Sequence, residues 1–90
     1  MNEIKVYTDE KLMDLRKRFS SLEIEETGFL INQEEINENN RTMKDVANDM
    51  ISIYQETNNY LKSSYPNNKV AESWIAINEF CANLLKENWL

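Results

Sequence analysis

The sequence predicts a mainly α-helical fold, one small bundle whose three main helices cover residues 9–21, 42–63 and 68–88. In all three segments, apolar residues recur at spacings of three and four, the period of an amphipathic helix. Only one glycine and one proline interrupt the 90 residues, of which 41% are hydrophobic and 29% charged. This length and composition suit a single globular domain over residues 1–90.

The first predicted helix begins after Thr8, since a threonine N-cap followed by acidic residues satisfies the free amides of a first turn. Residues 3–7 before it alternate weakly and predict either a short strand or a lead-in to the helix. Within the helix the spacing indicates one apolar stripe, formed by Leu12, Leu15, Phe19 and Leu22.

Residues 22–32 allow two interpretations. Leu22 and Ile24 alternate with glutamates, and the only glycine, Gly28, precedes a second apolar run. A short β-hairpin turning at residues 26–28 is one interpretation. An extension of the first helix that stops at Gly28 is the other. The β-branched and aromatic residues that flank the turn favour the hairpin.

The second predicted helix has the strongest pattern. Thr42 suits an N-cap with Asp45 three residues on, and Pro66 ends the segment because proline cannot continue a helix. The stripe of this helix comprises Val46, Met50, Ile53, Thr57 and Leu61.

The third predicted helix has an apolar arc too broad for one covered face. Its seam is Val70, Trp74, Ile77, Cys81 and Leu84. We expect either that this helix lies between the other two or that its second face meets another chain. The residues that widen the arc are candidate partner or oligomer contacts: Ile75, Phe80, Leu85 and Trp89.

The acidity of the chain is local. The net charge is −6, and residues 22–40 carry all of it, because residues 1–21 sum to +1 and residues 41–90 to −1. Such a field repels nucleic acid and anionic membranes and attracts basic protein surfaces. The predicted partner-binding acidic surface is therefore Glu23, Glu25, Glu26, Glu34, Glu35 and Glu38.

The composition argues against most catalytic chemistry. The chain has no histidine, the commonest general base and zinc ligand, and a single glycine excludes phosphate-binding loops. We predict no catalytic residue, no metal site and no cofactor. Cys81 alone cannot form an intrachain disulfide, and the absence of a long apolar run predicts a cytoplasmic protein outside the membrane. Thirteen asparagines hint at an AT-rich bacterial or phage source.

Two carboxylate pairs have spacings that could hold magnesium on one helical face: Glu35 with Glu38, and Asp45 with Asp49. Here the chain resembles the all-α nucleotide pyrophosphohydrolases of the MazG type, in which an E-x-x-E helix precedes an E-x-x-D helix. The resemblance covers about twenty residues around KDVANDMISIY, where the acids are spaced D-x-x-x-D instead. It implies magnesium-dependent nucleotide hydrolysis as a distant alternative.

Two function classes follow from the residues themselves. The first is a non-catalytic binding protein that neutralises or modulates another protein, as immunity proteins, antitoxins and phage-encoded inhibitors do. Such a protein needs no catalysis, and an acidic surface steers it onto basic partners. The second class is a homo-oligomeric structural or regulatory module, such as a homodimer that buries the excess apolar surface of the third helix.

Overall fold

The computed structural model describes residues 2–31 and 41–90 as helices joined by short connections, with no strand in these ranges. The predicted helical bundle is confirmed in outline, with a short helix added at the N-terminus where a strand or lead-in was expected. The elements are α1 (Asn2–Thr8), α2 (Glu10–Ile31), α3 (Met43–Ser64) and α4 (Lys69–Trp89).

The β-hairpin predicted for residues 22–32 is wrong over the residues described, because α2 runs without interruption to Ile31. The physical reason lies in the apolar stripe of the first helix. Leu22 is buried and Phe29 packs against the core, so the spacing of three and four continues through the supposed turn. Ile24, which suggested strand alternation, is exposed.

Gly28 lies inside α2 without the positive φ angle of a helix-terminating glycine, and a Cβ placed there meets no atom within 4 Å. We therefore expect Gly28→Ala to raise the free energy of unfolding by about 0.5–1 kcal/mol, since alanine loses less backbone entropy in a helix. Urea denaturation measures this change. A hairpin with a turn at Gly28 would instead be destabilised by the same substitution.

Asp9, rather than the predicted Thr8, caps α2. Thr8 is the last residue of α1, and the Asp9 carboxylate accepts the backbone amide of Leu12 at 3.1 Å. The same carboxylate accepts the hydroxyl groups of Tyr60, at 2.7 Å, and Tyr65. These bonds tie the α1–α2 junction to the C-terminal end of α3.

The predicted cap of α3 is confirmed. The Thr42 hydroxyl accepts the amide of Asp45 at 3.2 Å, and the Asp45 carboxylate accepts the amide of Thr42 at 2.8 Å. After Pro66, Asn67 has a φ of 61°, which asparagine tolerates better than most residues. Asn68 then caps α4 by accepting the amide of Ala71 at 3.0 Å.

α3 is the central helix, with α2 and α4 packed against it on two sides. Of the two alternatives for the third predicted helix, the one that places it between the other two is therefore wrong: α4 is peripheral, because the buried residues of α3 cover a broad arc of its own circumference. The buried residues of α3 are Met43, Val46, Ala47, Met50, Ile51, Ile53, Thr57, Asn58 and Leu61.

Two buried asparagines join α3 to α4. The Asn78 amide donates to the Asn58 carbonyl oxygen at 2.9 Å, and the Asn58 amide donates to the backbone carbonyl of Ile75 at 3.4 Å. Each bond fixes the axial position of one helix against the other, because a shift by one turn would leave both amides buried without partners.

Candidate functional site

The structure describes half of the predicted acidic surface and places that half on a rigid helix. Glu23, Glu25 and Glu26 lie in the second half of α2. They are therefore held by a helical backbone instead of being displayed on a turn. The other three predicted residues lie outside the described part of the chain: Glu34, Glu35 and Glu38.

Glu25 has an internal partner. Its carboxylate accepts the Arg41 Nε at 2.7 Å, while the Arg41 Nη2 donates to Asp49 at 2.8 Å. Hydrogen bonds to Glu25 and then Asp49 raise the pKa of Arg41 further above its usual value. This clasp ties α2 to the start of α3, so most of the charge of Glu25 is compensated within the molecule.

Ile24 and Ile31 project into solvent from the same half of α2, with 75% and 72% of their surface exposed. They lie seven residues apart, two helical turns, on the side of α2 that faces away from α3. We call the C-terminal half of α2 the α2 face: Ile24 and Ile31 form its outer side, Glu23 lies at its edge towards α4, and Glu26 lies on the side opposite Ile24. Sequence reasoning missed its aliphatic part, because the hairpin interpretation assigned Ile24 to a strand.

A groove of about 720 Å³ lies between α2 and α4, with α3 as its floor. The backbones of α2 and α4 do not approach within 8 Å of each other. Apolar side chains line the groove, and Arg16, Glu23 and Lys69 are its charged residues. The Arg16 guanidinium lies 5.8 Å from the centre of the Trp74 ring, which links the two walls by a cation–π contact.

Tyr54 of α3 forms part of the groove floor. Burial raises the pKa of the Tyr54 hydroxyl, and its contact with Cys81 raises it further, so this phenol stays neutral at physiological pH. The Tyr54 ring packs against Phe19 with centroids 4.7 Å apart. Cys81 itself is half-buried. The Phe19 and Tyr54 rings fill the space between α2 and α3 on this side of the groove.

The four predicted apolar contacts of the third helix divide into two pairs. Ile75 and Leu85 are half-buried and pack against the core. Phe80 and Trp89 are exposed. Sequence reasoning had placed Ile77 and Leu84 on the inward seam of the same helix, yet both are exposed. The predicted seam therefore lies about a third of a turn around the helix from the face that is buried. The buried face comprises Ala71, Asn78 and Ala82.

The carboxylates that suggested magnesium have structural partners. Asp45 completes the cap of α3, and Asp49 binds Arg41; Glu35 and Glu38 lie outside the described residues. Within residues 2–31 and 41–90, no three cysteine or acidic side chains converge closely enough to hold a metal ion. The described helices also include none with the length and apolar character needed to cross a membrane.

Comparison of the chain with known protein families, curated proteins and solved structures found no match. The candidate site combines a helix that carries compensated and uncompensated acids, two exposed isoleucines on that helix, and an apolar groove that begins at Glu23.

Proposed function

We propose that this chain is a non-catalytic cytoplasmic protein that binds another protein and neutralises or modulates it, in the manner of immunity proteins, antitoxins and phage-encoded inhibitors. The partner presents a basic surface with an apolar recess, and it docks on the α2 face. The excess negative charge of residues 22–40 attracts this partner, and the aliphatic side chains of the α2 face contact its recess.

The exposure of Ile24 and Ile31 beside Glu23 carries the proposal. Charge alone raises association rates but contributes little to lasting affinity, whereas desolvated aliphatic side chains slow dissociation. A surface that contains both can capture a basic partner and retain it. From Glu23 to Ile31 the helix rises about 12 Å, so the two isoleucines can enter a single recess.

The clasp between Glu25 and Arg41 decides which charge-reversal variant can be interpreted. A reversal at Glu25 would break the tie between α2 and α3, and a loss of binding could then reflect a change of fold. The informative charge variant is therefore Glu23→Lys with Glu26→Lys, which leaves the clasp intact. The informative apolar variant is Ile24→Ser with Ile31→Ser.

We expect affinity capture from the source cell to retain a protein on the wild-type chain and to lose it on both double variants. With that protein purified, surface plasmon resonance should show association slowed by about tenfold at low salt for the charge variant. The isoleucine variant should mainly raise the dissociation rate.

Two control variants change the charge and the apolar surface of the chain outside the α2 face. Asp14→Lys with Glu72→Lys makes the same change of net charge away from the α2 face, and Met13→Ser removes an exposed apolar side chain from the first half of α2. Both controls should bind as the wild type does. If the two double variants retain the same protein with unchanged rates, the α2 face is not the binding surface and the proposal fails.

A further inference from the structure

The exposed face of α4 is a continuous strip opposite the residues that α4 buries against α3, and one edge of it also lines the groove, at Lys69, Ser73 and Ile77. Its members recur at spacings of three and four, so they form one line along the helix. Every one of them is exposed. We call this line the α4 strip: Lys69, Ser73, Ala76, Ile77, Phe80, Leu84 and Glu87.

The α4 strip has an apolar centre and a charge of opposite sign at each end. Ile77 is 61% and Phe80 55% exposed, and Leu84 adjoins them one turn further on. Lys69 stands at the N-terminal end and Glu87 at the C-terminal end. Eighteen residues separate the two charges, which is five full turns of helix, so both lie on the same edge of the strip.

We propose that the α4 strip binds the α4 strip of a second copy of this chain, with the two helices antiparallel about a two-fold axis. The axis passes between Ile77 and Phe80, so that Ile77 of each copy packs on Phe80 of the other. In this register the small Ser73 faces the large Leu84 of the second copy, which allows the helices to interdigitate.

The opposite charges at the two ends of the α4 strip indicate that its partner is a second copy and that the two helices are antiparallel. In an antiparallel pair, residues on the same edge of the two helices face each other. This register sets Lys69 of each copy opposite residue 88 of the other, so that its long side chain reaches the neighbouring Glu87, twice by symmetry, whereas a parallel pair would bring like charges together. A surface that is complementary to itself under a two-fold rotation is the property that a closed dimer requires.

The α2 face lacks this property, because the residues described there carry only acid and would repel a copy of themselves. The self-association inferred for α4 is therefore independent of the proposed function and uses a different surface. One helix face presents fewer residues than the roughly 20–30 per side of a standard interface, so we expect a dissociation constant on the order of tens of micromolar.

Sedimentation equilibrium of the full chain, over roughly a hundredfold range of concentration around that value, tests the proposal. Lys69→Glu and Glu87→Lys should each weaken the dimer by about tenfold, because each places two like-charged pairs across the axis. The double variant K69E/E87K should restore the wild-type dissociation constant. Restoration by the charge exchange is the signature of the antiparallel register.

Misfolding does not explain a loss of the dimer in these variants. An acid at the start of α4 and a cation in its last turn both complement the helix dipole, so each substitution favours the helix in the monomer. Circular dichroism should show unchanged helicity.

Phe80→Ser should abolish the dimer over the same concentrations. Two control variants should leave it intact: Met13→Ser, whose side chain is 54% exposed on α2, and Lys17→Glu, which makes the same charge change as Lys69→Glu. A wild-type chain that stays monomeric at every concentration would overturn the proposal. So would a dimer that ignores Phe80→Ser, or a double variant no better than the single ones. None of these outcomes bears on binding at the α2 face.

Discussion

Replacing Asp9 with alanine is expected to lower the free energy of unfolding by about 2 kcal/mol, because its carboxylate accepts three hydrogen bonds. It caps α2 through the amide of Leu12, and it accepts the hydroxyl groups of Tyr60 and Tyr65 from the far end of α3. Water can reach the half-buried phenols after the substitution, which keeps the loss moderate. For a domain of this size, 2 kcal/mol is a large share of the total stability.

The same carboxylate makes the stability of the fold depend on pH. Burial raises the pKa of Asp9, but the hydrogen bonds from Tyr65, Tyr60 and the backbone outweigh burial and hold the pKa below its usual value. Asp9 therefore stabilises the fold fully above its unfolded pKa, about 3.9. This contribution disappears as the pH falls through the lower folded pKa.

The contribution of Tyr65 to stability has the opposite pH dependence, since it is lost at alkaline pH. The hydrogen bond to Asp9 raises the pKa of Tyr65 to about 12. The contribution of Tyr65 is therefore complete below its unfolded pKa, about 10, and is lost as the pH rises through about 12.

Urea denaturation of the wild type and Asp9→Asn at a series of pH values checks the acid side. The stability of the variant should fall less steeply below about pH 4. Some dependence should remain, because the hydrogen bonds from Thr42 also hold the pKa of Asp45 below its usual range. Asp14→Ala, at an exposed position of α2, should change stability by less than about 0.5 kcal/mol. Equal acid slopes in wild type and Asp9→Asn would show that the Asp9 carboxylate contributes nothing to the pH dependence of stability.

Helix content could be predicted from the sequence because each long helix carries its own signals. The apolar period located α3 and α4 to within a residue or two, and Thr42 with Asp45 fixed the start of α3. These are local properties that depend on residues three and four apart. The hairpin prediction at residues 22–31 was wrong because the local signals conflicted. Ile24 and Gly28 resembled the residues of a strand and a turn, whereas Leu22 and Phe29 continued the helical spacing.

The arrangement of the helices could not be predicted in the same way. Periodicity says how much of a helix is apolar, but it does not say which neighbour covers it. α3 is central because small and polar residues, Ala47 and Asn58 among them, extend its buried arc towards α4. The clasp from Arg41 to Glu25 joins residues 16 apart across different elements, so spacing gave no sign that Glu25 is compensated.

Asn78→Leu is expected to destabilise the fold by about 2 kcal/mol, because it leaves the buried carbonyl oxygen of Asn58 without its donor. Leucine is close enough in size to fill the space, so the loss measures the missing hydrogen bond more than a cavity. Asn83→Leu, at an exposed position of α4, should change stability by less than about 0.5 kcal/mol.

The double variant Asn58→Leu with Asn78→Leu should recover most of that loss, since no buried polar group is then left unpaired. Its helices would lose the polar contact that fixes the axial position of α4 on α3, as a single buried asparagine pair does in coiled coils. We therefore expect a double variant close to wild type in urea but with broadened amide resonances along α4. Losses that simply add in the double variant would show that the two asparagines act independently. Sharp resonances together with recovered stability would show instead that apolar packing alone sets the register.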